Sequence, residues 1–243
     1  MLETVEQHFR ELQPAVDFCS LRLVSRQDEV IEVRQDILQP VETEDDAGAM
    51  ITVVDGGGLG YAATSDLTAG GLRDALDRAT AWARQTAADA IVDHGQVLRP
   101  VPTGEYACAI DRPWSALPLA ERIDLARAEC VRLKTDDRIV DWSASLWWIA
   151  EEQLYLTADG GRTQQRFEYL IPGLSVTANE GSETVSRRYG GFDLGRQGGL
   201  EILDDVHFFD QAPVIAEEVL ELLTAPNCPT GTMDLLLDPD QMY

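Results

Sequence analysis

The chain predicts an α+β fold: mainly antiparallel sheet with helices packed on one face. Three observations carry this. Strand-forming runs outnumber helical ones and are joined by short turns rich in Gly, Asp and Asn. Helical periodicity appears in separate blocks near residues 2–16, after Thr68, at 118–134 and at 211–224. Strands follow strands more often than they alternate with helices, which argues against a doubly wound sheet.

In chain order, Val5, Phe9 and Leu12 form one face of a first helix. Residues 19–25 and 30–35 read as two strands joined at Gln27-Asp28, and residues 49–54 and 59–64 as a second pair. Between the latter, Asp55, Gly56, Gly57 and Gly58 tolerate positive φ, as a tight hairpin requires, with Gly60 just beyond. Thr68 suits an N-cap, and Leu72, Ala75, Leu76, Ala79, Trp82 and Ala83 follow at helical spacing. Asp74 and Arg78 are placed for an i,i+4 ion pair.

Residues 89–113 hold several Pro and Gly but little periodicity, and read as a connector. The expected division is therefore 1–88, an α+β half with the Gly-rich hairpin; 89–113, the connector; and 114–243, a second α+β half. In the latter, Leu119, Ile123, Ala126, Cys130 and Leu133 make a helical stripe. Strands are expected at 139–150, 153–157, 165–178 and 184–192, with turns at Asp159-Gly160-Gly161 and Asn179-Glu180-Gly181. Alternation sends Trp142 and Trp148 to one face and Trp147 to the other. A last helix at 211–224 ends before Pro226, and 232–237 reads as a final strand. The halves resemble a distant duplication in element order, without a residue-level repeat.

The 243 residues suffice for a substantial core. Net charge is −24, and such a surface repels phosphate backbones, so direct nucleic-acid binding is not expected. No apolar run approaches a membrane span, and the acidic N-terminus lacks the basic start of a signal peptide. No membrane partner is expected, and the cytoplasm is the default location. The cysteines, Cys19, Cys108, Cys130 and Cys228, form no C-x-x-C pair, which removes zinc ribbons and thioredoxin motifs.

His8, His94 and His207 are far apart in sequence, so no metal set is assigned in this chain. No nucleophilic triad is assigned either, and no catalytic residue is named. Gly58-x-Gly60-x-x-Ala63 matches a dinucleotide fingerprint in form only, because a strand rather than a helix follows the glycines. A nucleotide-dependent enzyme rests on that match alone. Arg187-Arg188-Tyr189-Gly190-Gly191-Phe192 places two cations beside a Gly pair at a strand end. Arg187 and Arg188 suit a peptide carboxylate, and Gly190 and Gly191 suit close approach of another backbone. A strand with surface arginines and a bulge is the simpler reading of the same residues.

Together, VSRQDEVIEVRQ, DGGGLGYAATSDLT with its helix, RRYGGFD and APNCPTGTMDLLLDP resemble, in order and spacing, the N-terminal domain of the TldD/PmbA family. That resemblance implies a zinc metallopeptidase whose His-Glu-x-x-x-His motif lies in a following β-rich domain, so that this chain stops short of the metal and needs no cofactor of its own. It implies that this part covers the cleft and helps hold an extended peptide substrate. It also implies dimers, of one chain or of two related chains, and a link to DNA gyrase, which the charge makes indirect. The alternative is a peptide- or protein-binding module without catalysis.

Overall fold

The computed structural model describes residues 1–12, 14–226 and 229–237. The elements are α1 (Leu2–Leu12), β1 (Phe18–Arg34), β2 (Ile37–Leu38), β3 (Glu42–Asp55), β4 (Gly58–Thr64), α2 (Ala69–Ala87), β5 (Thr103–Ala107), α3 (Leu119–Leu133), β6 (Ile139–Thr157), β7 (Arg162–Glu180), β8 (Glu183–Gly190), β9 (Arg196–Gln197), α4 (Ile202–Asp205) and α5 (Phe208–Thr224). Strands pair in the order β4-β3-β1-β6-β7-β5, with β2 on β1 and both β8 and β9 on β7. β2 on β1, β4 on β3, and β8 and β9 on β7 pair antiparallel, whereas β5 pairs with β7 in parallel. The fold class is α+β.

Several strands are longer than the sequence predicts. Residues 18–34 form one strand without a turn at Gln27-Asp28, and 139–157 one strand without a break at 151–152. The polar runs that suggest breaks are satisfied from neighbouring elements. Glu29 accepts from Arg122 and Trp114, Asp28 from Trp147, and Glu152 from Gln164 and Arg166. The connector carries a strand, β5, whose exposed residues give no periodicity to read. Residues 232–237 adopt no strand, because extended chain becomes a strand only by pairing and none is made here. Cys228 lies outside the described residues.

The element order repeats. Apart from β2 in the first run and β9 and α4 in the second, helix, long strand, long strand, short hairpin strand, helix describes α1-β1-β3-β4-α2 and again α3-β6-β7-β8-α5. Compact units do not follow this order along the chain. One unit gathers Met1–Gln27, Glu44–Cys108 and Ala150–Phe167; the other gathers Asp28–Thr43, Ala109–Ile149 and the described residues from Glu168 onward. The compact units thus interleave along the chain. The reason is strand length. β1, β6 and β7 are 17 to 19 residues long, about 55–65 Å at strand rise, longer than one core requires.

In the first unit, α1 and α2 cover one sheet face. Val5 and Phe9 pack with Leu21, Leu23, Ile51, Leu72, Ala79, Leu154 and Leu156. In the second, α3 and α5 do the same over Ile31, Val33, Leu146, Leu170 and Val176, with Cys130, Phe208 and Ile215 from the helices. Burial pushes the Cys19 thiol up to about 12, as suits a small core residue rather than a reactive one. Thr68 caps α2, accepting from Gly71 N–H at 3.2 Å. Arg78 donates to the Ala63 and Asp74 carbonyls. Among the described residues no helix is long and apolar enough to cross a membrane.

Candidate functional site

The segment after β7 begins with an antiparallel return. In β8, Ala178↔Val185, Val176↔Arg187 and Leu174↔Tyr189 pair across the ladder. Val176 and Ala178 belong to the core, so Val185, Arg187 and Tyr189 share the helix-covered face. Arg187 Nε donates to Glu218 of α5 at 2.6 Å. The Tyr189 hydroxyl donates to the Val206 carbonyl, and burial holds that phenol above its ordinary pKa.

Alternation turns Arg188 to the opposite face, in register with Ser175. Ser186, two residues earlier, shares a 2.8 Å hydrogen bond with Thr177 on that face. Arg188 is exposed, and among the described residues it makes no ion pair. The two arginines of the sequence pattern are thus separated by the sheet. One is tied to a helix, while the other projects from the uncovered face.

Gly190 and Gly191 have φ of 88° and 77°. A Cβ on Gly190 would collide with the Pro172 carbonyl, so this close approach is to β7 itself, while the space around Gly191 is open. The positive φ pair reverses the chain into a short 3₁₀ turn, Gly191–Leu194. That turn carries Phe192 across the sheet to Trp147, with ring centroids 5.3 Å apart at 77°. Phe192 remains 77% exposed. Trp147 Nε1 donates to Asp28 at 2.9 Å. The candidate site is thus the Trp147–Phe192 aromatic pair together with Arg188, exposed on the uncovered face, and the open Gly191 that lies between Arg188 and Phe192 in sequence. In the sequence Phe192 figures only as the end of the Arg187–Phe192 segment and Asp28 only as a turn residue, with no site role for either. The available signal was alternation, which already set Trp147 apart from Trp142 and Trp148.

The opposite face shows what the remaining tryptophans do. Trp114 stacks on Trp148 at 6.2 Å and 9°, with the Arg122 guanidinium 4.7 Å over its ring. Trp114 Nε1 and Arg122 both donate to Glu29, and Trp148 Nε1 to Glu168. These rings seal α3 against the sheet.

The other singled-out residues form a separate feature in the first unit. Asp55 pairs with Gly58, leaving Gly56-Gly57 as a two-residue loop with φ of 59° and 82°. Asp17 accepts from Gly56 N–H at 2.8 Å, and Arg84 donates to Asp55 at 2.6 Å. Gly58 and Gly60 face α2, and a Cβ on either would collide with that helix's backbone at Ala83 or Ala79. Their role is close packing of helix on strand.

Among the described residues no group of three His, Cys, Asp or Glu side chains gathers as a metal ion requires. The described residues therefore present no ligand set that fits a zinc ion.

The chain is thus an α+β protein with one mainly antiparallel sheet flanked by helices. Residues 19–83 match the model of the PmbA/TldA metallopeptidase domain 1. A metalloprotease of Methanothermobacter thermautotrophicus is 23% identical over 237 residues, covering 95% of this chain and 48% of that protein. Among solved structures, a proposed modulator of a DNA gyrase from Thermotoga maritima superposes with TM-score 0.67 at 14% identity, over 94% of this chain and 50% of that one. TldE from Thermococcus kodakarensis gives 0.56 at 16%, over 92% and 47%. The family match is thus confined to residues 19–83, while the similarity to TldD/PmbA-type proteins extends over most of the chain. The chain spans about half the length of the relatives it matches.

Proposed function

We propose that this chain is the substrate-holding part of a TldD/PmbA-type peptidase, covering the catalytic cleft and gripping an extended peptide. The observation that carries the reading is Arg188, exposed on the uncovered face on the segment that leads through the open Gly191 to the Trp147–Phe192 pair. A guanidinium suits a peptide carboxylate, aromatic faces suit apolar side chains, and an open glycine lets a second backbone approach. Arg187 contributes by anchoring β8 to α5, which fixes where Arg188 points.

In this reading the metal, zinc, and the groups that cleave the bond are supplied by the half of the relatives that this chain does not cover. The working unit is a dimer of this chain or of two related chains, in the cytoplasm. Any gyrase effect runs through proteolysis, because a net charge of −24 disfavours DNA contact.

The test compares residues 1–243 with the complete gene product for zinc content and for hydrolysis of an unstructured fluorogenic peptide. We expect zinc and hydrolysis only with the complete product, and expect Arg188→Ala there to raise KM more than it lowers kcat. Stoichiometric zinc and cleavage by residues 1–243 alone would sink the reading. Peptide binding by a gene product that ends at Tyr243 would replace it with a binding module.

A further inference from the structure

The outer edge of β4 is met by α2 side chains near both ends and is open between them. Antiparallel strands turn alternate residues' N–H and C=O groups outward. Leu59, Tyr61 and Ala63 are the outward set, because Leu59 N–H donates to Thr86 Oγ1 at 3.2 Å and the Ala63 carbonyl accepts from Arg78 at 3.0 Å. Thr86 Oγ1 also lies 3.0 Å from the Leu59 carbonyl. α2 thus sends two side chains over the edge, one at each end. Between them, the Tyr61 N–H and C=O make no hydrogen bond among the described residues.

This gap opens onto a recess of about 390 Å³ lined by Leu59, Gly60, Tyr61, Trp82 and Thr86. Tyr61 on β4 and Trp82 on α2 are 66% and 55% exposed, and Trp82 lies outside the buried stripe of its helix. The rim is acidic. Asp89 borders the continuation of the recess past Thr86, and Asp74 and Asp77 border the groove at the Arg78 end. Arg78 itself is spent on backbone carbonyls.

We propose that the β4 edge is a second peptide-docking site, which takes a short extended segment bearing apolar residues flanked by Lys or Arg. Two backbone hydrogen bonds to Tyr61 would hold the segment, an apolar side chain would fill the recess against Trp82, and the flanking cations would meet Asp74, Asp77 and Asp89. A single open rung limits the strand addition to a few residues, so the aromatic pocket and the charge supply the selectivity. The site lies in the other unit from Arg188 and does not depend on the proposed peptidase reading.

The test is an NMR titration of the ¹⁵N-labelled chain with a capped heptapeptide, Arg-Thr-Phe-Thr-Phe-Thr-Arg. Controls are its Glu-for-Arg counterpart and a version N-methylated at the central residues. We expect saturable shifts centred on the Tyr61 amide and the Trp82 indole. Affinity should be roughly tenfold weaker for the acidic peptide and should fall with added salt. The N-methylated peptide should not bind at that edge. Tyr61→Pro should abolish binding while keeping the fold, since it removes an N–H that serves no ladder bond. Trp82→Ala, at an exposed helix position, should weaken it at least severalfold and serves if the proline variant melts early. Absence of saturable shifts, equal binding of the acidic or N-methylated peptide, or indifference to Trp82→Ala would overturn the proposal. Shifts confined to Arg188, Gly190 and Gly191 would overturn it too, while supporting the peptidase reading.

Discussion

The two hairpin-plus-helix corners of the molecule solve one problem in opposite ways. In β3-β4-α2, the strand sheds its side chains. Gly58 and Gly60 face the helix, and the backbones come within collision distance of any Cβ. In β7-β8-α5, the strand keeps Val185, Arg187 and Tyr189 on the helix-facing side and reaches across with them. Arg187 finds Glu218, and Tyr189 finds the Val206 carbonyl. The same element order thus permits a close, glycine-defined contact or a wider, side-chain-defined one. The first tolerates no added atom. The second distributes its stability over several replaceable contacts and leaves its strand free to present Arg188 on the far face.

The largest effect should come from breaking the close corner. Gly60→Ala pushes a Cβ into the Ala79 carbonyl, and we expect a loss of about 3 kcal/mol, read as a fall in Tm. An unchanged Tm would remove the distinction between the corners.

Next comes Arg132, which stitches α3 to α5. Pro213 has no N–H, so it leaves the Phe209 carbonyl without its helical donor, and Arg132 supplies one while also bonding Glu129. Arg132→Ala leaves Glu129, only 4% exposed, without that partner, and should cost about 2 kcal/mol in denaturant unfolding.

Tyr189→Phe removes one hydrogen bond and leaves the Val206 carbonyl without it, for about 1 kcal/mol. Arg187→Ala should cost no more than about 0.5 kcal/mol, because its ion pair with Glu218 is half exposed. A loss as large as that of Gly60→Ala at either position would show that the second corner is as tightly specified as the first.

The smallest effect is a pH slope. Burial raises the Glu129 pKa, opposed by Arg132 and reinforced by Asp210. The folded state therefore holds that proton more tightly than the unfolded state. The resulting stability is present below the ordinary glutamate value of about 4.3 and is lost as pH rises through the raised value. Glu129→Gln should flatten that part of the stability profile. An identical pH dependence in the variant would show that the burial at the α3–α5 contact is not felt by this carboxyl.

The hairpin at Gly56-Gly57, the Thr68 cap and the opposite placement of Trp147 were legible in the sequence because each depends on a residue's own backbone preference or on strand parity. The mid-strand runs at 25–29 and 151–153 were not. Their polar residues imitate turns until Trp147, Trp114, Arg122 and Arg166 are seen to satisfy them across the sheet. Of the candidate site, Arg188, Gly190 and Gly191 stood out in sequence as a charged strand end beside a flexible pair. Phe192 and Asp28 did not, since their roles arise from what lies opposite them.

The sequence by itself determined the α+β class, the Gly56-Gly57 hairpin, the Thr68 helix cap and the net negative charge, because these follow from local propensity, periodicity and composition. Only the tertiary structure decided that the long strands are shared between two interleaved units, that Arg187 and Arg188 part company across the sheet, and that one rung of β4 is left open. Those outcomes depend on which neighbour supplies each hydrogen bond, and such partners lie tens of residues away along the chain.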